Sequence, residues 1–296
     1  MTASWPYLVV SLLGWLGSAT PSTAAESPKP SRELARHLSA IASLAQSAPM
    51  VTIPDGYFLF GSHRIDDDPY GQATQFDNTE LPQNRVWLDT YELDRDEVSL
   101  GEYLAFLARQ NDHPPEELKK LIWHVITVHA IPDQTLTRWP TLYVTWQEAV
   151  AFCAANGKRL PTEAEWEKGA RGSNGHLFPW GEAPPDGRRA MFGLHHVHEI
   201  PILSPVDSHR EGESPYGLRH MAGNVAEWTQ DWFGFDYYAY LPKRNPQGPT
   251  SGRYKSLRGG SWKSKSIMLR TATRSGALPD QRSATIGFRC ARSPNP

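Results

Sequence analysis

One short segment places several potential metal ligands next to one another. His195, His196, His198 and Glu199 form the string HHVHE, and imidazole and carboxylate groups bind zinc and iron in proteins. Metal sites usually gather ligands from several segments, whereas adjacent residues in an exposed turn point in different directions. We therefore interpret this string as a solvated polar loop, with a metal site as the alternative.

The chain has two cysteines, Cys153 and Cys290. An even count in an exported protein suggests a disulfide, which here would close a loop covering nearly half of the chain. Two separate buried thiols are the alternative that composition alone leaves open.

The amino terminus indicates export. Residues 7–16 read YLVVSLLGWL, an apolar run too short to span a bilayer, and small residues follow it up to Ala25. We predict a signal peptide over residues 1–25, cleaved after Ala25. An uncleaved membrane anchor is the alternative, because no Lys or Arg precedes the run. The mature chain is expected to have no membrane span and to be periplasmic or extracellular.

Composition narrows the function class. The formal net charge is -2 and the 30 Lys and Arg residues are scattered, which argues against a nucleic-acid partner. The chain also has 23 Gly and 25 Pro together with 11 Trp and 11 Tyr. This mixture favours loops and turns held by large aromatic side chains over long regular helices.

Two regions follow the predicted signal peptide. Residues 26–49 begin as a Pro- and Ser-containing linker and continue as a short amphipathic helix. Its apolar residues recur at helical spacing, at Leu34, Leu38, Ile41 and Ala45. Residues 50–296 contain no second linker or repeat, so we predict a single domain there.

Three segments carry the signature of a helix start, in which a hydroxyl residue is followed three positions later by Glu. They are Ser99 with Glu102, Thr145 with Glu148, and Thr162 with Glu165. The spacing predicts helices near 100–110, 146–156 and 163–170, with Cys153 on the buried side of the second.

Two other segments are less clear. Alternation of apolar and polar residues predicts a strand over residues 86–93. Residues 112–139 are apolar without clean periodicity, so helix and strand both stay open there.

Six segments, in order, resemble the formylglycine-generating enzyme family, also called the sulfatase-modifying factor domain. They are DRDEVSLGEYLAF (94–106), PTLYVTWQEAVAFCAANGKRLPTEAEWEKGARG (140–172), FPWG (178–181), YGLRHMAGNVAEWTQDWF (216–233), LRGGSW (257–262) and IGFRCAR (286–292). The resemblance covers nearly all of residues 50–296. It implies an α+β fold related to C-type lectins, loop-rich, with short strands and a few helices.

The same resemblance implies a copper site that this chain lacks. The enzymes of the family oxidise a sulfatase cysteine to formylglycine with copper held by two cysteines after the GGS(W/Y) turn. Here Ser264 takes the place of the first, and the second falls near Met268 and Leu269. Copper(I) prefers thiolate ligands, so we expect neither copper nor this oxidation. Cys153 and Cys290 instead match a structural disulfide of the family.

A calcium loop is also implied by the resemblance. The matching segment is HMAGNVAE, in which His220 stands where the family has an Asn ligand. The remaining ligands would be the backbone carbonyls of Gly223 and Val225 and the carboxylate of Glu227. Oxygen ligands of this kind suit Ca²⁺. We expect Ca²⁺ here, and a metal-free loop held by hydrogen bonds of Glu227 is the alternative.

If the fold is retained, a cleft lies over the missing copper site. The resemblance implies that Ser261, Trp262, Ser264 and Arg274 line it, with Arg258 nearby. A guanidinium beside an indole suits a carboxylate or an aromatic ligand. The alternative is that Arg258, Trp262 and Arg274 are framework residues.

Two functions remain. The first is an exported monomer that binds a peptide, a protein or a small molecule in the cleft without generating formylglycine. The second is a periplasmic enzyme that tailors a secreted peptide oxidatively, similar to the pyoverdine-maturation relatives of this family, which lack the copper cysteines.

Overall fold

The computed structural model describes residues 32–63, 77–194 and 203–293. Within these residues helices and short strands are joined by long loops, an α+β fold. The helices are Arg32–Ser43 (α1), Leu100–Arg109 (α2), Glu116–Thr127 (α3), Asp133–Leu136 (α4), Trp146–Ala155 (α5) and Glu163–Arg171 (α6). The strands are Met50–Ile53 (β1), Gly56–Phe60 (β2), Asn84–Leu88 (β3), Tyr91–Asp94 (β4), Ala226–Trp232 (β5), Lys255–Arg258 (β6), Arg274–Ala277 (β7), Ile286–Gly287 (β8) and Ala291–Arg292 (β9). Short 3₁₀ helices span Asp77–Glu80, Arg210–Gly212, Tyr237–Ala239 and Ser266–Leu269.

All three predicted helix starts are confirmed. Helices α2, α5 and α6 each begin with a complete capping box, formed by Ser99 and Glu102, Thr145 and Glu148, and Thr162 and Glu165. In each box the hydroxyl accepts from the amide of the Glu, and the carboxylate accepts from the amide of the hydroxyl residue. Two backbone donors that a helix start leaves unpaired are satisfied this way by local partners. The first amide of each helix has a distant acceptor, which is the carbonyl of Trp139 for α2, the carbonyl of Pro279 for α5 and the carboxylate of Asp231 for α6.

The prediction of one strand over residues 86–93 is wrong, because the segment forms parts of two strands in different sheets. Strand β3 pairs with β2, whereas β4 lies between β1 and β9. The chain turns at Asp89 and Thr90. Asp89 donates its amide to the side chain of Asn245, and the Thr90 hydroxyl accepts from the amide of Asp55. These distant partners hold the turn, and a period-two pattern cannot show them.

Residues 112–139, which the sequence left open, form the helices α3 and α4. The buried residues of α3 follow helical spacing at Leu118, Leu121, Ile122 and Val125. The signal was present in the sequence, but the half-buried Trp123 and Ile126 beside this stripe obscured it.

The predicted amphipathic helix is present as α1. It packs against α2 and α4, and it buries Leu34 and Ile41 in the main core. The Thr137 hydroxyl donates to the carbonyl of Ile41 at 2.9 Å, and the ring of His37 lies 2.9 Å from the carboxylate of Asp133. The domain boundary at residue 50 stays a prediction.

The four-stranded sheet has the order β7-β6-β5-β8, with β5 and β8 parallel and the other neighbours antiparallel. Glu227, Arg258 and Arg274 are direct neighbours across three of its strands, and Leu257 and Ser275 are neighbours one position away. Because side chains alternate along a strand, these two rows project from opposite faces. The α6 helix packs against β5 and β6.

The predicted disulfide is confirmed. Cys153 on α5 and Cys290, just before β9, are bonded with Cα atoms 5.7 Å apart, and both are fully buried. Since these are the only two cysteines in the sequence, neither sulfur is a free thiol. Within the described residues, no helix is long and apolar enough to cross a membrane.

We predict that the double variant Cys153→Ala, Cys290→Ala is less stable by roughly 3 to 5 kcal/mol, since the bond closes a loop of 137 residues. Denaturant unfolding of both proteins measures this difference. Alkylation without prior reduction, followed by mass spectrometry, tests the bond itself. Two alkylated cysteines in wild-type protein folded under oxidising conditions would contradict it.

Candidate functional site

A depression of about 230 Å³ lies on one face of the four-stranded sheet. Its floor includes Ala226, Leu257, Ser275 and Ile286, one residue from each strand, and a loop of residues 259–268 forms one wall. We call this depression the cleft. Its lining residues are Ala226, Leu257, Gly259, Gly260, Ser261, Ser264, Met268, Thr273, Ser275, Gly276, Ala277, Gln281, Thr285 and Ile286. None of these described lining residues is ionisable.

Two glycines make the wall possible. Gly259 and Gly260 have φ values of 89° and 68°, in the left-handed region that favours glycine. A Cβ atom on Gly260 would also lie 3.0 Å from the carbonyl oxygen of Met268 and 3.2 Å from the hydroxyl of Ser264. The loop therefore folds back tightly on itself and brings Ser261 and Ser264 to the cleft.

Ser261 and Ser264 are joined by hydrogen bonds in this turn. The amide of Ser261 donates to Oγ of Ser264 at 2.9 Å, and the amide of Ser264 donates to the carbonyl of Ser261 at 2.8 Å. A serine nucleophile needs a neighbouring base, and no described lining residue supplies one. The pair can offer and accept hydrogen bonds to a ligand.

Trp262 is buried behind the wall and does not line the cleft. Its indole donates to the carbonyl of Ala284 at 2.9 Å, and its amide donates to the carbonyl of Asn224 at 2.8 Å. Trp262 thus anchors the loop to two neighbouring segments.

Arg274 also lies away from the cleft. Its guanidinium makes a bidentate ion pair with Glu163 on α6, at 2.6 and 2.8 Å, and donates to the carbonyls of Thr79 and Gly234. The row that holds Arg274 projects toward α6, whereas Ser275 lies in the cleft. A shift of one residue along β7 separates the two environments.

Arg258 is fully buried in the same row. It pairs with Glu167 and donates to the carbonyls of Thr271, Ala272 and Thr273. Glu167 also accepts from Arg171 at 2.8 Å and from the amide of Gly61 at 2.7 Å. Arg258 and Arg274, the two arginines that the sequence placed at or near the cleft, are therefore framework residues.

The loop that was expected to bind calcium is held by hydrogen bonds and an ion pair. Both carboxylate oxygens of Glu227 accept from Arg289 at 2.7 Å, and one also accepts from the indole of Trp166 at 2.9 Å. The ring of His220 lies 3.1 Å from the carbonyl of Pro205, and burial lowers its pKa to about 3 with a further contribution from His209. His220 is therefore neutral at physiological pH.

This donor set does not fit the expected calcium site, because an arginine already neutralises its only carboxylate. No group of three or more His, Cys, Asp and Glu side chains in residues 32–63, 77–194 and 203–293 could hold a metal ion. Calcium binding stays a prediction. The string His195–Glu199 lies outside the described residues.

Sequence reasoning missed Glu97, which is fully buried beside this loop. Its carboxylate accepts from the side-chain amide of Asn224 at 2.6 Å and from the amide of Val225 at 3.3 Å. Burial raises the pKa of Glu97 well above its usual range, and the charge of Glu227 adds to the rise. An acidic residue directly before the apolar residues Val98 and Leu100 was the available signal.

Similarity to known proteins agrees with this architecture. A sequence model of the sulfatase-modifying factor enzyme 1-like domain matches residues 38–294. The formylglycine-generating enzyme of Mus musculus is 32% identical over 290 residues, covering 82% of this chain and 74% of that protein. The structure of PvdO from Pseudomonas aeruginosa superposes with a TM-score of 0.63 at 25% identity, covering 83% of this chain and 94% of that one. Treponema denticola variable protein 1 shares the fold, with a TM-score of 0.61 at 22% identity and coverage of 83% and 95%.

We predict that Glu227→Gln lowers the free energy of unfolding by about 3 kcal/mol, because it leaves the buried Arg289 without a charged partner. Glu92→Gln is the matched control, since it breaks the exposed Glu92–Arg292 pair and should cost at most about 1 kcal/mol. If denaturant unfolding shows equal losses of unfolding free energy for the two variants, the larger contribution expected of the buried pair is contradicted.

Melting with and without EGTA tests calcium separately, because a bound ion stabilises the folded state.

Proposed function

The chain belongs to the family of the sulfatase-modifying factor enzyme 1-like domain, and from this premise we propose that it is an exported member that binds a polypeptide segment through the cleft without generating formylglycine. One observation carries the proposal. The chain has a cleft lined by neutral hydrogen-bonding and apolar groups, while both of its cysteine sulfurs lie in a buried disulfide.

The absence of thiolates argues against the family's oxidation. A two-thiolate copper site needs two soft anionic sulfurs, and Ser264 supplies a neutral hydroxyl whose oxygen already accepts from the Ser261 amide. Met268 adds one thioether. Cys153 and Cys290 cannot substitute, because they are bonded to each other.

The size of the cleft favours a polypeptide over a free small molecule. At about 230 Å³ it is smaller than the 300 to 1,000 Å³ typical of small-molecule sites, and it can hold one or two side chains. Beside it lies β7, the outermost strand of its sheet, which pairs only with β6 among the described strands. Gly276 in β7 is exposed, so an extended segment can approach this edge and form backbone hydrogen bonds.

Export is supported by two features. A buried disulfide persists in oxidising compartments such as the periplasm or the extracellular space. The apolar run at residues 7–16, followed by small residues, has the pattern of a signal peptide. We propose that the mature protein is a monomer in such a compartment.

A second candidate is an oxidative tailoring enzyme, which the similarity to PvdO favours. The described cleft residues offer no imidazole, carboxylate or thiolate for a redox metal, so its cofactor would have to bind elsewhere. Elemental analysis of purified mature protein separates the candidates. Stoichiometric iron or copper would favour the enzyme, and its absence would favour binding.

We predict that the protein does not convert cysteine to formylglycine in a sulfatase peptide, with or without copper and a reductant. Mass spectrometry of the peptide measures conversion, and a copper-loaded formylglycine-generating enzyme serves as the positive control. Turnover by this chain that Ser264→Ala abolishes would refute the prediction.

We also predict that the cleft selects peptides from a phage-displayed library of random decapeptides. Ser275→Leu should weaken binding of the selected peptides at least tenfold, because it fills the cleft and removes no side-chain hydrogen bond seen in the structure. Ser251→Leu, at an exposed position outside the lining, is the matched control. Calorimetric titration measures both. Failure to enrich any peptide, or equal affinities for the two variants, would contradict the proposed function.

A further inference from the structure

Two lysines stand on the loop that forms the wall of the cleft. Lys263 and Lys265 alternate with the lining residue Ser264, and both are exposed. The ammonium group of Lys263 lies 4.9 Å from the ring centroid of Trp262, which places it against the anchored part of the loop. Within the part of the chain that the structure describes, neither lysine forms an ion pair with an acidic side chain.

The cleft itself does nothing to offset these charges. Its described lining residues are all neutral. Three arginines are adjacent in sequence to lining residues, and each is paired: Arg258 with Glu167 and Arg274 with Glu163 on the other face of the sheet, and Arg282 with Glu148. The positive potential beside the cleft therefore comes from the two ammonium groups of its wall.

The loop with the two lysines is joined to one end of β7, and an acidic residue follows the other end of that strand. Thr273, just before β7, donates its hydroxyl to the carbonyl of Ile267, which ties the lysine-bearing loop to the start of the strand. Asp280 follows the end of the strand and is exposed. A segment that lies along β7 would thus meet ammonium groups near one end and a carboxylate near the other.

We propose that the polypeptide segment taken by the cleft carries acidic side chains that pair with Lys263 and Lys265. This inference rests on the proposed function and adds the chemistry of the partner to it. Hydrogen bonds in the neutral cleft are tolerant of sequence, whereas the paired charges select among segments and speed their association. The electrostatic part of the affinity weakens as ionic strength rises, because the pairs are exposed.

The test uses a decapeptide selected on the wild-type protein and two designed versions of it. One has Asp at the positions next to the wall, and the other has Asn at the same positions. We expect the Asp peptide to bind the wild-type chain about five- to tenfold more tightly, with the difference shrinking between 50 and 500 mM salt, values chosen from the screening length. The variant Lys263→Glu, Lys265→Glu should reverse this order and prefer a version with Lys at those positions.

A matched control has the same change in charge elsewhere. Arg109→Glu, Lys120→Glu alters two exposed basic residues on α2 and α3 and should keep the preference for the Asp peptide. Equal binding of the Asp and Asn peptides to the wild-type chain would overturn the inference and leave peptide binding intact. If no version of the peptide binds, both the proposed function and this inference fail.

Discussion

Buried ion pairs between one helix and one sheet hold this structure together. Every residue of α6 is buried, although Glu163, Glu167 and Arg171 carry charges. A buried charge without a partner is very costly, so Arg258 and Arg274 must lie where these carboxylates can reach them. That requirement constrains the position of α6 over the sheet, and it constrains the register of β6 and β7, since a slip of one residue would turn both arginines toward the cleft. The pair of Glu227 with Arg289 extends the same constraint to the carboxy-terminal segment.

The sheet therefore has two chemically different faces. One face is ionic and closed against α6, and the other is neutral and partly open as the cleft. In the sequence the two faces alternate, so Leu257 is next to Arg258 and Ser275 is next to Arg274. This arrangement lets the surface of the cleft change without disturbing the ion pairs beneath it. A fold with such a division can lose a metal site on the open face and still fold.

Local signals predicted local structure well. The capping boxes placed three helix starts because all their partners lie within four residues, and the stripe on α3 could have been read the same way. The family resemblance supplied what is not local, including the fold and the pairing of Cys153 with Cys290. Prediction failed where a distant partner decides the outcome. Asn245 breaks the strand at Asp89, and Glu163 draws Arg274 away from the cleft. No sequence pattern around Glu97 shows that its carboxylate accepts a hydrogen bond from the side chain of Asn224.

The disulfide joins two residues that are synthesised at different times. A polypeptide is made from its amino terminus, so Cys153 appears 137 residues before its partner. Until Cys290 arrives, Cys153 is a thiol on a helix whose buried face has no carboxy-terminal strand against it. Any other thiol in the same compartment can reach it during that interval. Correct pairing therefore requires the carboxy-terminal segment that holds Cys290 to pack against α5 before another thiol reacts with Cys153.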